Sequence, residues 1–484
     1  MWSDRPTAAR RARLADRLRA LLPPPRPGAR GAKTPLAGAA AVEPVAEELR
    51  REPGFGWLDG AGWGGARLYS RPLAVLTARH GRATVAGPGG RAAFAARGLD
   101  LLDAALAAWG GAGGELVGFL GYELAWELEE LPPPPADDLG LPDLHLALYP
   151  AALRRDARGW TLDSTDAWPA GGGDPRIAAE RRLQRLARRA AEAPPEGPLA
   201  RPPLRSRPLP SAFADAVARA VGRIAAGEIF QVNLCRRLEA RLARRAVWPL
   251  WQRLRAASPA DYAAFLDLST PRRARALLSV SPECFLAARD GVVESRPIKG
   301  TRPRGTNRRS DAALARELLE SAKDRAELAM IVDVVRNDLG RVAVTGSVEV
   351  AAHAELMTLP TLHHTVSRVR ARLAAGTNAA DLLRASFPPA SISGAPKIRA
   401  VAVAAAEEER RRGPAMGAVG RIALSGELDL AVAIRTAVAA RGRVAYHTGG
   451  GIVADSDPEA ELEETRVKAR AFLAALGWPA AGAW

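Results

Sequence analysis

Apolar positions along the chain recur at helical spacing in some segments and form short continuous runs in others. The helical spacing predicts helices over residues 211–226, 311–339, 379–385, 396–412 and 458–476. Short runs rich in Val, Leu and Ala predict strands, among them 67–78, 116–122, 144–153, 276–280, 291–294 and 428–438. Helices and strands are mixed without an internal repeat, which predicts an α+β fold in two parts.

Changes in composition divide the chain into four segments. Residues 1–40 are rich in Ala, Arg, Pro and Gly and are predicted to be a disordered tail, although the basic run Arg10–Arg19 leaves a targeting helix open. Residues 41–165 mix strands with glycine turns and form the N-terminal domain. Residues 166–210 are predicted to be a linker, with one helix over 175–193 and then a proline-dense stretch. Residues 211–475 carry the strongest patterns and form the C-terminal domain.

The composition excludes several classes of protein. The chain has 484 residues, of which 48% are hydrophobic, so it can bury a large core. No apolar run approaches the roughly 18–20 residues that cross a bilayer, and residues 1–5 lack the apolar stretch of a secretory signal. Cys235 and Cys284 form neither a metal-binding spacing nor a disulfide framework. These features favour a cytoplasmic protein without a membrane partner.

A formal net charge of +16 raises the question of nucleic-acid binding. Arginines are spread along the whole chain among 53 acidic residues, and aromatic residues make up only 5%. No stretch interleaves arginine with aromatic side chains, as proteins that bind single strands do. The pattern therefore predicts no nucleic-acid partner.

Lysine is scarce in this basic chain. Only five of its 69 Lys and Arg residues are lysines, at positions 33, 299, 323, 397 and 468. An amine can lose its proton and act as a nucleophile, whereas a guanidinium stays protonated. Lys299, in the run 295–301, is therefore a candidate nucleophile. Taken alone, it could equally be a solvated charge in a strand turn.

Two pairs of carboxylates each have the spacing of one helix face. Asp324 and Glu327 lie three residues apart in one predicted helix, and Glu461 and Glu464 lie three apart in another. Two such faces opposite each other can hold one hard cation such as Mg²⁺, which takes carboxylate, water and substrate oxygens. For either pair alone, a solvated helix face is the alternative.

Small-residue turns followed by a proline precede two predicted helices, an arrangement that presents free N–H groups to an anion. One turn is Gly449–Gly451, whose helix also carries Lys468 on the face of Glu464, and the other is 391–397. Arg435 stands inside the apolar run 430–436, where a charge needs a partner. A substrate carboxylate and a structural ion pair both meet that need.

Two further positions are candidates for proton transfer. His363 and His364 are adjacent and have no third ligand at zinc spacing, so one of them is a candidate general acid. Glu283 follows Ser281 and Pro282 and is a candidate acid or base. An ordinary surface side chain is the alternative in each case.

Together these residues resemble the chorismate-binding enzymes, which include the large subunits of anthranilate synthase and aminodeoxychorismate synthase and the isochorismate and salicylate synthases. The resemblance is dense from about residue 211 to 475 and weaker around 118–123. Its motifs lie at 227–234, 281–283, 297–301, 330–340, 393–397, 434–436 and 449–468. The family implies layered antiparallel β-sheets flanked by helices, with the active site in the C-terminal part.

The resemblance also implies a role for each candidate. Mg²⁺ is expected to hold the ring carboxylate of chorismate, with Glu327 and Glu464 as ligands and Asp324 and Glu461 in support. His364 is expected near the leaving C4 hydroxyl, and Glu283 as a catalytic acid or base. The expected substrate contacts are Thr301, Gln231, Arg435, Lys468 and the backbone of Gly450 and Gly451.

Two positions distinguish the reactions within the family. Members that add water resemble one another in having a lysine at the position of Gln231, so glutamine there indicates a nitrogen nucleophile. Anthranilate synthases carry alanine at the position of Lys299. Lysine there is similar to aminodeoxychorismate synthases, in which the amine attacks C2 of chorismate. The expected product is 4-amino-4-deoxychorismate; an anthranilate synthase large subunit and a non-catalytic binder of chorismate-like acids are the alternatives.

No glutaminase is expected in this chain, because neither cysteine lies in a nucleophile turn with a paired histidine. The resemblance therefore implies that a separate glutamine amidotransferase subunit supplies ammonia. A reactive Lys299 must be a neutral amine, and burial or the flanking Arg296 and Arg302 are expected to lower its pKa.

Overall fold

Two antiparallel β-sheets and flanking helices make up the computed structural model, which describes residues 7–22, 25–26, 31–168, 175–270, 273–359 and 362–478. The strands are Gly31–Leu36 (β1), Gly56–Asp59 (β2), Ala66–Tyr69 (β3), Ala74–Arg79 (β4), Arg82–Gly87 (β5), Gly90–Ala95 (β6), Glu115–Leu120 (β7), Leu144–Tyr149 (β8), Ala151–Asp156 (β9), Gly159–Thr165 (β10), Ala200–Arg207 (β11), Gln231–Leu242 (β12), Tyr262–Asp267 (β13), Arg275–Ser281 (β14), Cys284–Arg289 (β15), Val292–Arg296 (β16), Ile298–Pro303 (β17), Glu349–Thr358 (β18), Leu362–Arg372 (β19), Gly394–Ala395 (β20), Ala418–Ala423 (β21), Leu428–Val432 (β22), Thr436–Ala440 (β23) and Arg443–Ile452 (β24). The α-helices are Ala8–Leu21 (α1), Val42–Leu49 (α2), Gly98–Trp109 (α3), Ala125–Leu128 (α4), Pro175–Leu186 (α5), Pro210–Ala225 (α6), Val247–Ala257 (α7), Arg308–Glu320 (α8), Ala322–Gly340 (α9), Ala379–Ser386 (α10), Lys397–Glu407 (α11) and Pro458–Leu476 (α12).

Both sheets run through both halves of the chain. The first has the order β1-β10-β9-β3-β2-β13-β14-β23-β24-β12-β11, with β20 beside β12. The second has the order β17-β19-β16-β15-β22-β21-β7-β8-β4-β5-β6, with β18 beside β19. The halves join where β2 pairs with β13 and where β7 pairs with β21. The N-terminal and C-terminal segments therefore share two continuous sheets.

The sheets pack face to face, with helices covering their outer faces. Strand β14 shows the arrangement, because Leu277 packs between the sheets while Ala276 and Leu278 pack toward the helix-covered side. A strand buried on both faces reads as a continuous apolar run, which is the pattern at 276–280. The expected α+β architecture of layered antiparallel sheets is confirmed. None of the described helices is long and apolar enough to span a bilayer.

Helix boundaries agree best with the sequence where caps are present. Helix α12 has the predicted bounds, with Asp457 accepting a hydrogen bond from the Ala460 N–H and Pro458 in the first turn. The predicted helix over 311–339 is instead two helices, α8 and α9. The chain breaks at Ser321, whose hydroxyl accepts from the Asp324 N–H and so begins α9.

The prediction of a disordered tail over residues 1–40 is wrong for two segments. Helix α1 buries Leu14, Leu18 and Leu21, which share one face, against the second sheet's core, and β1 pairs with β10. The predicted linker over 166–210 also contains structure: β11 pairs with β12 as an edge strand, where its prolines are tolerated. The average composition of the tail and of the linker gave no indication of this structure. Residues 169–174 lie outside the described residues.

Substitution of Leu18 by alanine tests the packing of α1. Leu18 is fully buried, so we expect L18A to lower the free energy of unfolding by about 2–5 kcal/mol, measured by chemical denaturation. Arg17 is exposed on the same helix, and R17A is the matched control with little effect. Equal effects of the two changes would contradict a packed α1.

Candidate active site

One cavity of about 660 Å³ gathers nearly all of the predicted site residues. It lies between the ends of the sheets, with walls from β12, β17, β19 and β24 and from helices α9 and α12. The predicted residues that line it are Glu283, Lys299, Thr301, Asp324, Glu327, His364, Arg435, Gly451, Glu461, Glu464 and Lys468. Gly450 and Gln231 stand just behind this lining, against Glu461 and Gly451 respectively.

Lys299 is directed into the cavity by a bulge in β17. The pairing of β17 with β19 shifts between Lys299 and Thr301, and Gly300 is the extra residue, with φ of +66°. A Cβ at Gly300 would lie 2.6 Å from Leu318, so glycine suits both the conformation and the space. The Lys299 carbonyl accepts a 2.6 Å hydrogen bond from the Thr365 hydroxyl, which fixes the strand at this point.

Burial lowers the pKa of Lys299 below its ordinary value. The Glu327 carboxylate, whose oxygen lies 3.9 Å from the amine, opposes this shift, and the Lys468 ammonium adds to it. Arg296 and Arg302, expected to depress the Lys299 pKa, do not face the amine. Arg296 pairs with Glu294, and Arg302 pairs with Glu317 and Asp324. That expectation is corrected: the shift comes from burial and from Lys468.

The two carboxylate pairs come from α9 and α12 and reach the same cavity. The Lys468 amine, 2.5 Å from Glu464, lowers the pKa of that carboxyl, whereas burial raises the pKa values of Glu327 and Glu461. Among the side chains that the structure describes, no three acidic, histidine or cysteine residues converge closely enough to hold a metal ion.

One carboxylate oxygen of Glu461 accepts a hydrogen bond, and the other accepts none from the described residues. Its Oε1 accepts a 2.7 Å hydrogen bond from the Ser456 hydroxyl. Its Oε2 is buried and has no hydrogen-bond partner among the described residues. A buried oxygen of this kind is costly unless something binds it, and hard carboxylate oxygens are the donors that Mg²⁺ prefers. The donor set therefore fits a Mg²⁺ ion in its chemistry.

The glycine run 449–451 lies inside β24 and does not form a helix-start turn, which corrects the expectation from sequence. Strand β24 passes so close to its neighbours that side chains would collide. A Cβ at Gly450 would lie 2.7 Å from the Glu461 carboxylate, and one at Gly451 would lie 2.9 Å from the Lys299 amine. The Lys468 amine donates a 2.9 Å hydrogen bond to the Gly449 carbonyl. The glycines therefore give room to the charged groups.

The second predicted anion site is the turn 391–397, and its lysine, Lys397, does not line the cavity. The Lys397 amine donates to the Asp338 carboxylate at 2.5 Å and to the carbonyls of Ser386 and Pro388 at 2.8 and 2.9 Å. All three of its hydrogens are used, so this lysine fastens the turn to α9. Ser391 and Ile392 of this turn line the cavity, and Ser391 lies beside Glu283.

His364 faces the cavity, while His363 binds Thr358 and Asp311 elsewhere. The His364 Nδ1 lies 2.9 Å from the Gly300 carbonyl, which only accepts hydrogen bonds, so Nδ1 carries the hydrogen. The Arg435 guanidinium lies 3.4 Å from Nε2, which is therefore the unprotonated nitrogen. Burial, with Arg435 nearby, lowers the pKa of His364 to about 4. The ring is thus a neutral acceptor near pH 7.

Glu283 and Arg435 sit on two of the segments that carry the chain between the sheets. Glu283 lies between β14 and β15, and Arg435 lies between β22 and β23. The predicted single strand over 428–438 is therefore wrong, because its two ends belong to different sheets. Arg435 has φ of +49°, and no described carboxylate lies within ion-pair distance of it. Burial lowers the pKa of Arg435 and raises the pKa of Glu283 to about 7.

Lys323 is a charged cavity residue to which sequence reasoning gave no role in the site. Lys323, at the start of α9, is half-exposed and lies 4.0 Å from the Glu461 Oε1. The scarcity of lysine that singled out Lys299 applied equally to it. Three of the five lysines, 299, 323 and 468, line this one cavity.

Comparison with known proteins agrees with this geometry. Residues 54–474 match the family described as chorismate binding enzyme. Aminodeoxychorismate synthase component 1 of Salmonella typhimurium is 37% identical over 74% of this chain and 76% of its own length. Anthranilate synthase component 1 of Streptomyces coelicolor is 40% identical over 75% and 73%. The crystal structure of anthranilate synthase component I from Streptococcus pneumoniae superposes with a TM-score of 0.71, with 28% identity over 84% of this chain and 91% of that one.

The raised pKa of Glu283 makes a testable prediction about stability. Its folded value of about 7 lies above the ordinary value of about 4.3, so the folded protein keeps a proton that the unfolded chain releases. Wild-type stability should therefore fall as pH rises from about 4.3 to 7, and E283Q should escape this loss. We expect the melting temperature of E283Q minus that of the wild type to become more positive between pH 5 and pH 8. The same change at exposed Glu320 is the control; a pH-independent difference for E283Q would contradict the assignment.

Proposed function

The chain belongs to the chorismate-binding enzymes, and we propose that it converts chorismate and ammonia to 4-amino-4-deoxychorismate. The observation that carries this proposal is Lys299, a buried amine directed into the cavity with a lowered pKa. A guanidinium or a methyl group at this position offers no nucleophile, whereas an amine with a lowered pKa does. The relatives include synthases of both aminodeoxychorismate and anthranilate, so overall similarity supports the family and this residue supports the reaction.

The first step is attack by the neutral Lys299 amine on C2 of chorismate. The C2–N bond forms, both ring double bonds shift, from C1=C2 to C1=C6 and from C5=C6 to C4=C5, and the C4–O bond breaks to release the hydroxyl. That hydroxyl needs a proton to leave as water. His364 is neutral with its bare Nε2 toward Arg435, so it accepts hydrogen bonds and does not supply the proton. Glu283, whose pKa is about 7, is the side chain that can.

Ammonia completes the exchange in the second step. It attacks C4, both ring double bonds shift back, and the C2–N bond to Lys299 breaks, which restores the enzyme. Cys235 and Cys284 are both buried, and burial raises the pKa of each thiol to about 12, unlike an activated nucleophile. This supports the proposal that a separate glutamine amidotransferase subunit supplies the ammonia.

The substrate is a dianion, and the cavity offers it both fixed positive charge and carboxylates for a bridging cation. Arg435 and Lys468 are placed to bind its carboxylates, and Gln231 adds a buried amide that has no hydrogen-bond partner among the described residues. We propose that Glu327 and Glu464 ligate Mg²⁺, with Asp324 and Glu461 in support. When bound, the cation supplies positive charge that holds and polarises the ring carboxylate.

Product identification tests the reaction directly. The purified chain is incubated with chorismate, Mg²⁺ and an ammonium salt, and the products are identified by mass spectrometry. We expect 4-amino-4-deoxychorismate from the wild type and a loss on the order of 10³-fold or more in both K299A and K299R, since neither leaves a free amine. Lys33 is an exposed lysine of β1, and K33A should keep full activity. Anthranilate as the main product, undiminished in K299A, would sink the proposal in favour of anthranilate synthesis.

The pH dependence of kcat tests Glu283 as the proton donor. Because the donor must be protonated, wild-type kcat should fall as pH rises through about 7. E283Q keeps a hydrogen-bond donor but cannot release a proton, so we expect kcat to drop by about 10²–10⁴-fold and the alkaline fall to disappear. An unchanged alkaline limb in E283Q would assign the proton to another group.

A further inference from the structure

Each carboxylate of the two acid pairs lies against a different basic side chain. The distances are 3.3 Å for Asp324–Arg302, 3.9 Å for Glu327–Lys299, 2.5 Å for Glu464–Lys468 and 4.0 Å for Glu461–Lys323. In the proposed function, Lys299 attacks the substrate and Lys468 binds one of its carboxylates. Arg302 forms a second ion pair, with Glu317. Of the four bases, Lys323 has neither a role in the reaction nor a second ion pair among the described residues.

Glu461 is the acid that most needs a counter-ion. Its side chain is almost fully buried, one oxygen accepts from Ser456, and the other has no hydrogen-bond partner among the described residues. A buried carboxylate without compensating charge is strongly unfavourable. Lys323 supplies that charge from a half-exposed position on α9, the helix that faces α12 across the cavity.

A divalent cation and Lys323 would compensate the same carboxylate, and their charges repel each other at close range. Lysine suits such an exchange, because its long stem can carry the ammonium out to solvent when another cation takes over. Arg470 also lines the cavity, but it lies 3.8 Å from Glu463, which is not one of the four acids. Among the residues that the structure describes, only Lys323 combines solvent access with a direct approach to Glu461.

We propose that Lys323 is a resident counter-ion of Glu461 that competes with the divalent cation and thereby sets its affinity. This inference rests on the proposed cation site. Lys323 is a positioning residue. Its positive charge balances the buried Glu461 carboxylate when no cation is bound, and its amine moves away when the cation binds. Its removal should therefore strengthen cation binding, the opposite of what loss of a ligand or of a structural contact would do.

Isothermal titration of Mg²⁺ into the substrate-free chain measures this directly. We expect K323Q to bind Mg²⁺ roughly three- to tenfold more tightly than the wild type, about 0.7–1.4 kcal/mol. K323R keeps the charge and should stay within about twofold of the wild type. R470Q and K33Q remove the same charge at the cavity wall away from Glu461 and at a remote strand, and should change the affinity by less than about twofold.

The outcomes separate this inference from the proposals beneath it. Equal or weaker binding by K323Q, with normal folding shown by its melting temperature, overturns the role of Lys323 while leaving the cation site standing. Equal tightening in R470Q would show a general field effect and would also overturn it. No measurable binding by the wild type would remove the cation site and this inference together. The identity of the reaction product affects none of these results.

Discussion

Two of the crossovers between the sheets, at Glu283 and at Arg435, are the constraint on which the active site depends. At Glu283 the chain passes from the first sheet to the second, and at Arg435 it passes from the second sheet to the first. The crossovers lie side by side: the Val432 N–H donates to the Glu283 carbonyl at 3.1 Å, and the Val280 N–H donates to the Arg435 carbonyl at 3.2 Å. Each crossover thus satisfies the backbone of the other. The backbone that carries the acid and the guanidinium is therefore held by hydrogen bonds between the sheets' strands and the crossovers.

A cavity walled by two sheets can contain this many charges because most of them are paired, Arg435 being the exception among the described residues. Isolated charges in such a place would cost several kcal/mol each, whereas an opposite charge within about 4 Å recovers much of that cost. Carboxylates on α9 and α12 face amines that come from β17 and from the same two helices. The same pairing keeps the amines in reach of the substrate. Lysine persists here in an arginine-rich chain because a compact amine can exchange partners and lose its proton, and a guanidinium does neither readily.

Local signals in the sequence were enough for some elements and not for others. Asp457 and Pro458 mark the start of α12 by chemistry that needs no tertiary contact, and its carboxylate pair was placed correctly on one helix. The break at Arg435 could not be seen, because the apolar run continues unchanged while the partner strands change. The glycines at 449–451 looked like a turn, since the close approach of α12 and β17 that requires them is a tertiary fact. The prediction of a disordered tail rested on average composition, which did not reveal the three buried leucines of α1.

The surroundings of Lys299 explain why overall similarity separates the reactions of this family so poorly. Relatives that bear the two activities are 37% and 40% identical to this chain, so the shared fold and charge pairs decide nothing between them. Under the proposed function, the residue that decides between the two reactions is Lys299, whose amine lines the cavity. Gly300 forms the bulge that directs the Lys299 amine into the cavity. Gly451 has no Cβ, which leaves room for both this amine and the Gln231 amide. A Cβ at Gly451 would press on the amine and on the Gln231 amide, and one at Gly300 would press on Leu318 and Asp324. A sequence average over the whole chain is insensitive to a single residue such as Lys299.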